Sequence, residues 1–177
     1  MKLYQLLFLL CFQLIAGCSE KDPESVLKGC CGNQPIDEDV GNGHVYVANI
    51  FTPNGDGLND LMFISTNAID LIIEVEVRNK KGEKVFESTN VQINDPTTSW
   101  DGYVNGVAME GLYTVSVSVL SSDGTSRTLT GSVCNYPCDG EGNLESISTD
   151  NCTFPSQTND GHFEPNIPSG ESLECFE

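Results

Sequence analysis

A chain of 177 residues carries 26 Asp and Glu against 8 Lys and Arg, a formal charge of −18. A surface this acidic repels phosphate backbones, which excludes nucleic acid as a partner and disfavours fast capture of any anion. The length holds one domain of ordinary size with appendages.

The first residues do not belong to that domain. Met1-Lys2 is a minimal positive start, and Leu3 to Ile15 is an apolar run broken only by Gln5 and Gln13. The run falls short of the ~20 residues that a bilayer span needs, so it reads as the apolar region of an export signal. It closes on Leu14-Ile15-Ala16-Gly17-Cys18. That stretch resembles the lipobox of bacterial lipoproteins, which implies cleavage after residue 17 and acylation of Cys18 with palmitate-type chains. The signal is therefore placed at 1–17, and the mature chain is expected to be exported and held in a membrane by its lipid. Loss of Lys2 leaves 7 bases against 26 acids, a balance of −19. Residues 18–43 form the acylated tether and a Cys-Cys loop. The early Glu20, Asp22 and Glu24 look like the acidic export tags that send some lipoproteins of gliding bacteria to the outer cell surface. Gly29 to Gly43, with Pro35 and Asp37-Glu38-Asp39, reads as loop.

From His44 the pattern is that of strands. Val45–Phe51 and Leu61–Ser65 flank a turn-rich stretch. Ile73, Val75 and Val77 alternate with Glu74, Glu76 and Arg78, which gives one dry and one wet face. Arg78, Lys80, Lys81 and Lys84 mark an exposed hairpin tip, which could dock an acidic segment of the same chain. Asn105-Gly106 is a strong hairpin signal. Tyr113, Val115, Val117 and Val119 alternate with Thr114, Ser116 and Ser118, Asp123-Gly124 turns the chain, and Leu129 and Val133 continue the pattern. About seven short strands with regular turns and no helical apolar stripe predict an all-β fold, an Ig-like antiparallel β-sandwich over 44–133. Trp100, the only tryptophan, is expected in its core.

Residues 134–177 carry nine acids and no Lys or Arg. They lack periodicity and would be disordered unless stapled. Cysteines supply the staples. Cys11 leaves with the signal and Cys18 is lipidated, so Cys30, Cys31, Cys134, Cys138, Cys152 and Cys175 remain, an even number in an exported chain. Adjacent Cys30 and Cys31 would strain to bond each other. Every other pairing of the six ties the segment before the strands to the segment after them. The tail is therefore expected to be an irregular, disulfide-linked acidic cap.

The densest local chemistry is Phe51-Thr52-Pro53-Asn54-Gly55-Asp56-Gly57-Leu58-Asn59-Asp60. Together with Val77-Arg78-Asn79, Gly82-Glu83, Val85-Phe86, Trp100-Asp101-Gly102 and Gly111-Leu112-Tyr113, it closely resembles the gliding motility-associated C-terminal domain, the type B sorting domain of the type IX secretion system. The resemblance covers about His44 to Val133 and implies an Ig-like sandwich in which Trp100, Asp101 and Gly102 are structural. It also implies a role in passing cargo through the outer-membrane translocon to the cell surface. This chain departs from the family pattern: Lys81 stands where the family has an aromatic, 44 residues follow Val133, and no large cargo precedes the domain.

Asn54, Asp56, Asn59 and Asp60 crowd hard oxygen atoms together and echo the middle of an EF-hand loop, which makes Ca²⁺ the one cofactor the stretch could hold. In that register position 1 is Thr52 and position 12 is Phe63, neither a carboxylate. The other reading is an Asx-rich turn whose side chains bond their own backbone. No catalytic motif is present, and His44 and His162 lie in unrelated segments. Cys134 and Cys138 lack zinc-type spacing. The expectation is a non-enzymatic, lipid-anchored outer-membrane protein at the cell surface, a structural or binding module of the gliding and type IX secretion repertoire that meets secretion components, a surface protein or a glycan. The alternatives are a sorting signal read by the translocon and a calcium-dependent adhesion module.

Overall fold

The computed structural model describes residues 27–137, 151–157 and 163–171. Two sheets face each other. The first has three antiparallel strands, β1 (Ile36–Val40), β2 (Gly43–Val47) and β4 (Ile64–Asn67), in the order β1-β2-β4. The second runs β3-β10-β9-β5-β6, built from β3 (Ile50–Phe51), β5 (Ile69–Arg78), β6 (Lys84–Ser88), β9 (Gly111–Ser121) and β10 (Ser126–Asn135). Only the short β3–β10 pair is parallel. Between the sheets lies one apolar cluster that includes Val45, Val47, Ile64, Val75, Val77, Val115, Val117 and Val133. These are the alternating positions of the strands, because a period of two turns every second side chain inward. Two small ribbons complete the chain, β7 (Tyr103–Val104) with β8 (Val107–Ala108) and β11 (Pro155–Gln157) with β12 (Phe163–Pro168). No α-helix occurs among the described residues, and a 3-10 turn lies at Pro96–Thr98. The fold is the Ig-like, disulfide-linked sandwich expected.

Local chemistry explains the turns. Asn105 and Gly106 take φ of 53° and 77°. Two positive values in a row define the type I′ hairpin that Asn-Gly favours, and this turn joins β7 to β8. Asp123, in the β9–β10 turn, accepts hydrogen bonds from the Ser121 hydroxyl and the Thr125 amide. These bonds, led by the Ser121 hydroxyl, hold its carboxyl down at about 2. The turn is thus favoured above the ordinary carboxylate range and loosened only as pH falls toward 2.

Two local readings are corrected. Ile36–Val40, expected as loop, is an edge strand paired with β2 from Ile36↔Val47 to Val40↔Gly43. Its two buried residues, Ile36 and Val40, enclose three exposed acids, so the alternation is invisible in the sequence. Ile36 packs where Gly131 has no side chain, and a Cβ there would lie 2.6 Å from Ile36 Cγ1. Arg127 holds the acidic run by donating to the Asp39 carbonyl at 3.0 Å and pairing with Glu38. In β5, Ile73 was expected on the dry face, yet it is 40% exposed and Ile72 is buried at 1%. The register of β5 against β9 shifts between Ile72 and Glu74. This extra residue, a β-bulge, exchanges the two faces before the regular alternation of Val75 and Val77 resumes.

The hairpin tip expected from Arg78, Lys80, Lys81 and Lys84 is present between β5 and β6. Arg78 is bound by Glu76, Lys84 by Glu87, and the Lys80 ammonium donates to the Lys28 carbonyl at 3.0 Å. The cluster therefore meets the entering segment of the chain.

His44 lies on the outer face of β2 between two carboxylates of β1, with Nδ1 2.9 Å from Asp39 Oδ1 and Nε2 2.8 Å from Asp37 Oδ1. The hydrogen bond to Asp39 is the main cause that raises its pKa above the ordinary 6.5. A raised pKa means that the stabilisation is complete below the unfolded value and is lost as pH rises through the folded one. Melting curves should therefore show wild type more stable than His44→Gln at pH 5.5, with the difference gone by about pH 9. A difference that is constant with pH would show that the pair holds without charge.

Candidate functional site

The turn-rich stretch is a self-braced loop that leaves β3. The Thr52 amide donates to the Asn59 carbonyl at 2.8 Å and closes it at the base. Asp60 accepts from the Gly55 and Gly57 amides at 2.7 and 2.8 Å, Asn54 from the Asp56 amide at 3.0 Å, and Asp56 from the Leu58 amide at 2.8 Å. Gly55, Gly57 and Asn59 all hold positive φ, at 81°, 87° and 52°. The glycines supply a conformation that other side chains resist, and asparagine is among the few that tolerate it. The Asn59 amide is buried and donates to the Ile50 carbonyl at 3.3 Å.

The four candidate calcium ligands thus meet in one loop, but Asn59 points to the backbone beneath it. The oxygen atoms of Asn54, Asp56 and Asp60 are spent on loop amides, the Asx-turn arrangement. Among the described residues no group of three His, Cys, Asp or Glu side chains is placed to hold a metal ion. A chelator is expected to leave the melting temperature unchanged to within about 1 °C, since the loop needs no cation to satisfy its donors. Stabilisation by several degrees in millimolar Ca²⁺ would show that the loop rearranges around a cation.

Trp100-Asp101-Gly102 sits beside this loop, and each residue has a distinct task. The Trp100 ring is buried, and its backbone bridges Met62, whose amide donates to the Trp100 carbonyl at 2.9 Å. Asp101 Oδ1 accepts from the Tyr103 amide at 3.0 Å and starts the β7–β8 hairpin. At Gly102, φ is 79° and a Cβ would lie 2.5 Å from Asn135 Nδ2, which donates to the Gly102 carbonyl at 2.7 Å. Loop and hairpin together enclose a surface concavity of about 340 Å³, lined by Pro53, Leu61, Tyr103, Pro137, Asp60 and Asp101 among others.

The same end of the sandwich carries a covalent clamp. Cys30 bonds Cys134 at the end of β10, and Cys31 bonds Cys152 in the extension. Around them Leu27, Ile50 and Tyr136 form a second buried cluster, separate from the main core. Cys138 and Cys175, like Cys18, the expected lipidation site, lie outside the described residues. Sequence reasoning missed Asn49, which is 2% exposed. Its Nδ2 donates to the Asn33 and Asn151 carbonyls at 2.9 and 2.8 Å, and its Oδ1 accepts from the Thr153 amide at 2.9 Å. One side chain therefore joins the entering segment, the sandwich and the extension. The only signal was a lone amide in the apolar run Val47-Ala48-Asn49-Ile50. Asn49→Ala should cost about 2–3 kcal/mol, because three backbone groups lose their partner. Hydrogen exchange would locate the loss, with faster exchange at Thr153 while the strands stay protected.

An Ig-like sandwich closed by disulfides, with a rigid polar loop and a paired hairpin at one end, is a module of exported proteins, since such bonds persist in oxidising compartments. The model of the CHU_C type IX secretion signal domain matches residues 45–134, half of the chain, and the chain belongs to that family. The matched span runs from β2 to the Cys134 end of β10, and β1, the entering segment and the extension lie outside it. Membership associates the chain with type IX secretion and makes it extracellular or outer-membrane-associated. No curated protein matches it. Among solved structures, the crystal structure of CopC from Methylosinus trichosporium OB3b matches at 16% identity and a TM-score of 0.38, covering 60% of this chain and 98% of that one.

Proposed function

We propose that this chain is a non-catalytic, lipid-anchored protein of the outer cell surface in which the secretion-signal sandwich is kept as a structural or binding module of the type IX and gliding repertoire. The observation that carries the reading is the pair of bonds Cys30–Cys134 and Cys31–Cys152. A detachable signal must leave once its peptide link is cut. Here a cut between Cys31 and the matched span would leave the sandwich tied through sulfur to Cys30, and a cut between Cys134 and Cys152 would leave the extension tied to Cys31. The anchor itself rests on the apolar Leu3–Ile15 run and the Leu14-Ile15-Ala16-Gly17-Cys18 stretch. Intact mass of the native protein, with and without reductant, tests the reading. An acylated Cys18 and an uncut extension are expected. A mature form without acyl groups, or one ending soon after Cys134, would overturn it.

A second reading is favoured by the family match itself: the sandwich still acts as a sorting signal. A reporter fused ahead of residue 27 would then appear outside the cell only when the translocon is intact. A reporter that stays inside in both backgrounds would remove this reading and leave the first untouched.

A further inference from the structure

We propose that the concavity between the signature loop and the β7–β8 hairpin is a docking pocket for an arginine side chain presented by a protein partner. The inference rests on the reading of the sandwich as a retained binding module. Pro53, Leu61 and Pro137 give the pocket apolar surface, the Tyr103 ring is 40% exposed at its wall, and Asp60 and Asp101 supply charge. Both carboxylates are fixed by backbone amides, Asp60 by Gly55 and Gly57 and Asp101 by Tyr103. Among the described residues neither is paired with a cation, since the ion pairs involve Arg78, Lys84, Arg127 and His44 elsewhere. The pocket thus holds two preset negative groups beside an aromatic face, with no positive charge of its own.

The chemistry that fits is a planar cation. A guanidinium stacks on a tyrosine ring and offers a fork of N–H donors to carboxylates, which an ammonium does less well. Aromatic and arginine anchors in small desolvated pockets are the usual centres of protein interfaces. Phosphate-bearing partners are repelled by the carboxylates. A neutral sugar would stack on Tyr103, but it leaves both carboxylates without a cation.

The test is a resonance-by-resonance titration of the full mature chain with acetyl-arginine methylamide and with its neutral isostere, the citrulline derivative. Saturable shifts at Gly55, Asp101 and Tyr103 are expected for the arginine probe, with binding about tenfold weaker for citrulline. Asp101→Asn keeps the acceptor for the Tyr103 amide and should weaken arginine binding about fivefold, and Tyr103→Leu should do likewise. Equal response to both probes, shifts scattered over the acidic surface, or a stronger response to a neutral hexasaccharide would overturn the assignment. On cells, a photoreactive residue at Leu61, in the pocket lining, should form an adduct whose yield Asp101→Asn lowers severalfold, and an adduct indifferent to that change would also overturn the assignment. Failure of the lipid anchor or of tail retention would appear in the intact mass and not in the titration, so the two readings fail separately.

Discussion

Removing both crosslinks, with Cys30→Ala, Cys31→Ala, Cys134→Ala and Cys152→Ala together, is expected to destabilise the chain by about 8 kcal/mol, whereas removing either one alone costs only about 3. The asymmetry follows from topology. Each bond spans a long stretch, 104 and 121 residues. Their ends are neighbours, however: Cys30 beside Cys31, and Cys134 not far before Cys152. While one bond survives, the other closes only the small ring between them, roughly 20 residues, worth about 3 kcal/mol of unfolded-state entropy. Once the first is gone, the second closes a loop of about 100 residues, worth nearly 5. Thermal melts should show a fall of roughly 6–12 °C for either single removal. The four-residue variant should melt far lower or fail to fold. Equal and independent losses of about 5 kcal/mol each would show that the two bonds do not share a ring. The buried position of Cys30 and Cys134, 2% and 0% exposed, adds a small packing loss to that pair.

The strands of the second sheet were legible because Tyr113 to Val119 and Leu129 to Val133 alternate with hydroxyl residues on a surface that stays wet. The hairpin at Asn105-Gly106 was legible because two positive φ values demand those residue types. The edge strand β1 was not, since an edge strand needs few buried residues and Glu38 occupies the inward parity between Ile36 and Val40, where Arg127 meets it. The bulge in β5 escaped because an inserted residue changes faces without changing composition. At the candidate site the loop itself announced its chemistry. Its purpose was ambiguous, because oxygen atoms that could ligate a cation are the same ones that cap backbone amides. In the structure those oxygen atoms accept from the Gly55, Gly57 and Leu58 amides, partners that spacing alone does not specify. The concavity was beyond sequence, since Leu61, Asp101 and Pro137 meet only when the Met62–Trp100 bridge and the end of β10 are in place. Asn49 belongs to the same category. An isolated amide declares that it needs partners but not which distant carbonyls supply them.

Trp100→Ala is the largest single-residue loss expected, about 3–5 kcal/mol. The ring is 1% exposed and links three strands. Its centroid is 5.4 Å from Phe51 of β3, 4.9 Å from Tyr113 of β9 in an edge-on arrangement, and 6.4 Å from Phe86 of β6. Tilted and edge-on pairs at these distances stabilise beyond their buried area. The indole N–H donates to the Tyr103 carbonyl at 3.3 Å, so the ring also positions the hairpin that walls the concavity. Trp100→Phe would keep much of the volume and lose the donor and the larger ring, at about 1–2 kcal/mol. The drop for alanine should reach roughly 6–20 °C in the melting temperature. Val107→Ala, on the exposed hairpin, should stay within about 0.5 kcal/mol of wild type. The single tryptophan also supplies its own optical probe in the parent chain, and a red shift on unfolding should coincide with loss of the strand signal. Should Trp100→Ala melt within 2 °C of the parent, the indole would be packed against the sandwich without holding it. The positioning of Tyr103 would then have to come from Asp101 alone.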